Sequence, residues 1–129
     1  MTATDGGRPL HIVYVWDSEY PWDVRTEKTC LALTEAGHDV HIVARNRKGQ
    51  ALREQLPEGT VHRMAPLRWM GRKLDASLSF PAFFSPRWYS LIASTAREVH
   101  ADLIIARDLP LCPTAIVVGR ELQIPVVLD

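Results

Sequence analysis

One stretch, Leu10 to Asn46, constrains the fold of this chain more than any other. His11-Ile-Val-Tyr-Val-Trp16 is a nearly unbroken β-branched and aromatic run, the pattern of a strand covered on both faces and hence central in a parallel sheet. The polar segment Asp17-Ser-Glu-Tyr-Pro-Trp-Asp23 reads as a turn. A helix is expected from about Val24 to Ala36, closed by Gly37, because glycine enters the left-handed conformation freely. His38-Asp39 then leads into a second strand, Val40-His-Ile-Val-Ala44. Strand, helix and strand make a βαβ unit. Ligands of open parallel sheets bind beyond the carboxyl ends of the strands. The segments to inspect are therefore Trp16 to Arg25 and Arg45-Asn46-Arg47.

The remainder continues the alternation. Residues 47 to 59 are polar and read as a connection with a short helical turn at Ala51 to Leu56. Thr60 to Ala65 forms a third strand that Pro66 ends, since proline cannot donate to a ladder. Leu67 to Phe84 has no clear period and exceeds an ordinary connection. It is either a functional loop or an irregular helical excursion. Ser85-Pro86 suits a helix start, with serine as N-cap and proline in the first turn. Trp88, Leu91, Ile92, Thr95 and Val99 follow at helical spacing. Asp102 to Ala106 is a fourth strand, Arg107 to Pro110 a turn, and Leu111, Ala115, Val118 and Leu122 stripe another helix. Val126 to Asp129 is a fifth strand. With no repeat of 20 to 50 residues, the reading is an α/β, Rossmann-like parallel sheet of about five strands with helices on both faces. Residues 1–9 form a disordered tail, and residues 10–129 one domain.

Fifteen basic residues balance fifteen acidic ones, so no global field draws the chain to nucleic acid or anionic lipid. The cysteines, Cys30 and Cys112, lack CxxC spacing and read as buried thiols in a reducing compartment. No glycine lies between Gly7 and Gly37, so the turn after the first strand lacks the G-x-G-x-x-G that lets backbone approach a pyrophosphate. This counts against a conventional NAD(P) site, although Arg45, Arg47 and Lys48 stand where a 2′-phosphate could be met. G-x-x-x-x-G-K-[ST] and G-x-S-x-G are absent as well, against a P-loop and a hydrolase elbow. His11, His38, His41, His62 and His100 lack i,i+4 pairing, which favours structural or surface roles over metal ligation.

Polar residues at the strand ends remain as candidates: Asp17, Glu19, Tyr20, Arg25, Asn46, Arg107, Asp108 and Asp129. Carboxylates there suit sugar hydroxyls or base chemistry, and arginines suit phosphate or carboxylate. Helix capping is the competing role for Asp23 and Asp108. Tyr20 and Trp22 suit either stacking or rim packing. The segment Arg63 to Tyr89 is basic and aromatic, with Arg63, Arg68, Arg72, Lys73 and Arg87 against Asp75 alone up to Arg87. It reads as a solvated cover over the core, as an interfacial membrane segment through Arg68, Trp69, Arg72, Lys73, Phe83, Phe84, Arg87 and Trp88, or, with least support, as a nucleic-acid surface.

Two stretches together carry a resemblance. Tyr20-Pro-Trp-Asp-Val-Arg-Thr-Glu-Lys28, continuing to Ala36-Gly-His-Asp-Val-His-Ile-Val43, resembles the start of GT-B glycosyltransferases of the family 4 type. So does Ala101-Asp-Leu-Ile-Ile-Ala-Arg-Asp-Leu-Pro110 with the following helix and Ile124-Pro-Val-Val-Leu-Asp129. The resemblance implies the N-terminal, acceptor-side Rossmann-like half, with Asp17 to Arg25, Arg107 to Leu109 and Asp129 lining a cleft. It implies a nucleotide-sugar donor held by a donor-binding C-terminal domain or partner chain, a glycan, lipid-linked or small-molecule acceptor, and no cofactor or metal bound by this half. Many such proteins carry a glycine-rich loop after the first strand, which this chain lacks. With Asp129 as its end, the chain is expected to be a fragment or one partner of a split enzyme, not catalytic alone. It would be cytoplasmic, with peripheral attachment to the inner face of the plasma membrane as an extension. A non-catalytic Rossmann-like interaction module and a small nucleotide-binding regulator are the alternatives.

Overall fold

The computed structural model describes residues 9–19, 24–46, 51–64, 86–107 and 111–128. Six strands form one sheet: β1 (His11–Glu19), β2 (Asp39–Arg45), β3 (Arg53–Leu56), β4 (Gly59–Arg63), β5 (Leu103–Ala106) and β6 (Val126–Leu128). The helices are α1 (Val24–Glu35), α2 (Pro86–Glu98) and α3 (Cys112–Leu122). The sheet order is β3-β4-β2-β1-β5-β6, and all pairs are parallel except β3 with β4. The apolar run at His11 to Trp16 thus occupies the centre, as its composition requires.

Period-two alternation divides the core between two layers. Val13, Val15, Val43 and Ile104 face one way and pack with Trp88, Ile92 and Ala96 of α2 and with Ala115 and Val118 of α3. Tyr14, Ile42, Ala44 and Val61 face the other way and pack with Cys30 of α1. Both α2 and α3 therefore cover one face, and α1 the opposite face. The expected helical stripes hold: Trp88, Ile92, Thr95, Leu111, Ala115 and Val118 are buried, and Leu91, Val99 and Leu122 are partly buried. Cys30 and Cys112 are both free and buried. Gly37 has a φ of 98° and closes α1.

Four expectations need correction. Ala51 to Leu56 is not a helical turn, because Arg53 to Leu56 forms β3, paired antiparallel with β4. Glycine makes this hairpin: Gly59 has a φ of 141°, and a Cβ there would stand 2.6 Å from the Val40 carbonyl oxygen. The sheet accordingly has six strands rather than five, with one antiparallel edge. Asp17 to Glu19 belongs to β1 rather than to a turn, and an irregularity between Val15 and Glu19 shifts the register so that Glu19 aligns with Arg45.

The fourth concerns the basic and aromatic segment. Arg63 is a buried structural cation, its side chain 0% exposed and 2.8 Å from Glu54, and it donates to the Ala51 carbonyl at 2.9 Å. Trp88 is fully buried in the core, which removes it from any membrane-facing set. Its place on the apolar stripe of α2 prevails, because a buried indole contributes far more free energy than an exposed one.

Candidate functional site

The carboxyl ends of β1, β2 and β5 lie side by side, because β1 pairs with both neighbours. Trp16 emerges half-buried from β1 on the α1 side, packed against the core there. Arg107 follows β5 and is held in place by its backbone N–H, which donates to the Val15 carbonyl at 3.1 Å. Its guanidinium carbon lies 5.6 Å from the Trp16 ring centre. On the α2 side, Arg45 ends β2 with its guanidinium carbon 5.4 Å from the Trp88 ring centre. Two guanidinium–indole pairs therefore occupy opposite faces of the sheet at one edge, and such stacking restrains a cation.

Other candidates fall around this edge. Asn46 is half-buried directly after β2, and Arg25 is exposed in the first turn of α1. Asp17 and Glu19 lie on the final residues of β1. Arg87, half-buried in the first turn of α2, has its pKa lowered by burial and then by the positive charge of nearby Arg45. Tyr20, Asp108 and Asp129 lie outside the described residues, as do the capping candidates Asp23 and Ser85, Trp22, and the membrane candidates Arg68, Trp69, Lys73, Arg72, Phe83 and Phe84. The structure thus brings Asn46 and Arg107 to one edge, together with Trp16 and Arg45 of the segments marked for inspection and with Arg87. The two Arg–Trp pairings were not legible in the sequence, since each joins residues remote along the chain.

At the opposite, amino end of the sheet lies a polar chain that sequence inspection missed. Asp39 Oδ2 lies 3.0 Å from His11 Nδ1 and 2.9 Å from His41 Nε2, and His41 Nδ1 lies 2.9 Å from His62 Nε2. An ionised carboxylate only accepts, so His11 Nδ1–H and His41 Nε2–H both donate to it. His41 Nδ1 and His62 Nε2 then share one hydrogen bond. Burial would raise the pKa of Asp39, but the hydrogen bonds from His41 and His11 outweigh it and hold the carboxyl below its usual range. His62 is 6% exposed. Burial, with the charges of His41 and Arg53, lowers its pKa to about 4. The signal was available in retrospect: Asp39 and His41 share a face of β2, and the sheet register aligns His11 with Asp39.

Among the described residues no group of three or more histidine, cysteine or carboxylate side chains could hold a metal ion, and no helix is long and apolar enough to cross a membrane. No protein-family profile and no curated protein matches the chain. Solved structures do match. Sucrose-phosphate synthase from Thermosynechococcus elongatus superposes with a TM-score of 0.58 at 16% identity, over 90% of this chain and 30% of that one. The chain thus spans under a third of the length of that relative. The C-terminal domain of a hydrogenase from Pyrococcus furiosus superposes with a TM-score of 0.61 at 15% identity, covering 95% of this chain and 93% of that domain. These likenesses establish an α/β, Rossmann-like fold, the first of them a distant likeness to a glycosyltransferase domain.

Proposed function

We propose that this chain is the acceptor-binding half of a glycosyltransferase that moves a sugar from a nucleotide-sugar donor to a glycan, lipid or small-molecule acceptor. The observation that supports this reading is the set Trp16, Asn46, Arg45 and Arg107, gathered where parallel-sheet folds bind ligands. The likeness in fold to sucrose-phosphate synthase agrees with it, as does the family 4 resemblance at Tyr20 to Lys28 and Ala101 to Pro110.

In this reading Trp16 offers an aromatic face to a sugar ring, and Asn46 and Arg107 offer polar groups to its hydroxyls. A donor-binding domain, on the same polypeptide or a partner, supplies the nucleotide-sugar site across the cleft. The test is an NMR titration of the isotope-labelled chain with neutral sugars, sugar phosphates, and uridine and guanosine diphosphate sugars. Saturable shifts at Trp16, Asn46 and Arg107, weakened by Arg107→Ala in a variant of unchanged melting temperature, are expected. Silence at this edge across the whole panel, or shifts confined to β3 and β6, would dismiss the reading.

A further inference from the structure

We infer that the polar chain at the amino end of the sheet is an acid-operated latch on the β3–β4 hairpin: the contact between His41 and His62 tolerates one imidazolium but not two, and the second proton frees the hairpin from β2. The inference is independent of the glycosyl-transfer reading.

The hairpin coheres as a unit. Within it β3 pairs with β4, the Arg63 guanidinium lies 2.8 Å from Glu54, and the Arg63 backbone N–H donates to the Leu52 carbonyl at 2.7 Å. Thr60 Oγ1–H donates to Gln55 Oε1 at 2.6 Å. Toward the body of the domain the hairpin is tied by the β2–β4 ladder, by burial of Val61 and Met64, and by the ion pair of Arg53 with Glu98 of α2. Thr34 Oγ1–H also donates to the Glu58 carbonyl at 2.8 Å, and His62 meets His41. Among these ties, the histidine contact is the one that turns from attraction to repulsion as protons are added.

Counting protons shows why. His41 Nδ1 lies 2.9 Å from His62 Nε2, and His41 Nε2 lies 2.9 Å from Asp39 Oδ2. The ionised carboxylate only accepts, so His41 Nε2 carries a hydrogen, and the contact between the rings needs a single hydrogen between its two nitrogens. Two neutral rings satisfy this, and so does one neutral ring with one imidazolium. With two imidazoliums an N–H on each side faces the other, no acceptor remains, and two positive charges meet in a partly buried place.

The groups around His62 come from every strand and helix packed there. Burial opposes its charged form first, then the positive charges of His41 on β2 and Arg53 on β3, whereas Glu98 on α2 and Asp39 on β2 favour it. Arg53 and Glu98 pair with each other, so their effects offset. His11 of β1 stands one step away, on Asp39. The Asp39 and Glu98 carboxyls are both held below their usual range, so both stay ionised in mild acid and neither takes up the protons. Release bears on the candidate edge as well. β4 is the outer neighbour of β2, and the Met64 N–H donates to the Ala44 carbonyl at 3.1 Å, directly before Arg45 and Asn46. Opening the hairpin removes that support from the strand that presents both residues.

The test is amide hydrogen exchange of the labelled chain, followed by NMR at pH 7 and pH 5 over a range of low urea concentrations, with each rate divided by its intrinsic value. Amides of β3 and β4 are expected to exchange through an opening that urea hardly promotes, because releasing a hairpin exposes little surface. Amides of β1 and β5 should follow the steep urea dependence of global unfolding. Because His62 is depressed to about 4 from 6.5, the open hairpin takes the proton first. Closure is fully favoured above about 6.5 and is lost toward 4, so the local opening should be about twentyfold more frequent at pH 5 than at pH 7.

His62→Gln keeps a hydrogen-bonding group toward His41 and takes no proton, so it should retain the local opening and lose its pH response. Exchange of β4 only along the steep dependence shared with β1 and β5 overturns the latch, leaving acid sensitivity a property of the whole domain. A pH response that survives in His62→Gln overturns it too. Should that variant fail to fold, the imidazole nitrogen signals of the wild type decide. His41 and His62 both present as imidazolium, while the β4 amides keep their pH 7 protection, would refute the inference; loss of that protection in step with the second imidazolium upholds it.

Discussion

Acidification should destabilise this protein in a window set by His62. The side chain is buried, hydrogen-bonds His41 and is held near a pKa of about 4, against 6.5 for an ordinary histidine. Because the folded value is depressed, the unfolded chain binds the proton first. The stabilising contribution is complete above about 6.5 and is lost as pH falls toward the folded value. The gap between the two values corresponds to ~3 kcal/mol at full loss, and integration to pH 5 gives ~2 kcal/mol. Asp39 also has a lowered pKa, so its contribution is likewise lost in acid, but only below its ordinary value of 3.8, beneath the histidine window. Urea unfolding followed by tryptophan fluorescence at steps between about pH 7.5 and 4.5 measures the effect. The control is His62→Gln, which keeps a donor but cannot titrate. Wild-type stability should fall by ~2 kcal/mol by pH 5, and the variant by clearly less. Equal slopes in the two proteins would refute the assignment, and a flat wild-type profile would refute the burial argument itself.

Three further outcomes follow from named contacts. Gly59→Ala should cost at least ~2 kcal/mol, since the new methyl meets the Val40 carbonyl oxygen at 2.6 Å and the φ of 141° disfavours any side chain; thermal denaturation measures it. Glu54→Ala should destabilise more than Arg63→Met, because the first strips a carboxylate at 2.8 Å from a fully buried guanidinium, at a cost of ~3 kcal/mol, whereas the second removes the charge as well; a reversed order in chemical unfolding would contradict this. The Cys30 thiol, pushed up to about 12 by burial and then by Glu58, should resist a disulfide reagent at pH 8 in the folded state and react at once in denaturant. Rapid native labelling at Cys30, located by peptide mass, would show that the α1 layer opens.

Local pattern settled much of the architecture. Apolar runs identified β1, β2, β5 and β6, helical spacing identified the buried stripes of α2 and α3, and Gly37 marked the end of α1, because each signal is carried by residues close in sequence. Missing glycines likewise excluded a conventional dinucleotide turn without reference to structure. The sequence reading failed where partners are distant. Arg53 to Leu56 is polar and looks like a connection, and it becomes a strand only because Gly59 turns it back onto β4. Trp88 was placed both on a core stripe and in a membrane-facing set, and the packing of α2 on the sheet decided for the core.

The candidate site divides in the same way. The carboxyl edge was legible as a location, because strand direction and helix order determine it, and Asn46 and Arg107 were named from that alone. That Arg107 lies on Trp16, that Arg45 rests on Trp88 beside Arg87, and that His11, Asp39, His41 and His62 form one hydrogen-bonded chain depend on sheet register and on which face each helix covers. Local sequence specifies which residues can form strand, helix and turn, because those preferences act over a few residues. Which charges meet, and at what cost in burial, is decided by tertiary packing, because Coulomb energy and desolvation depend on distances in space that the chain order does not contain.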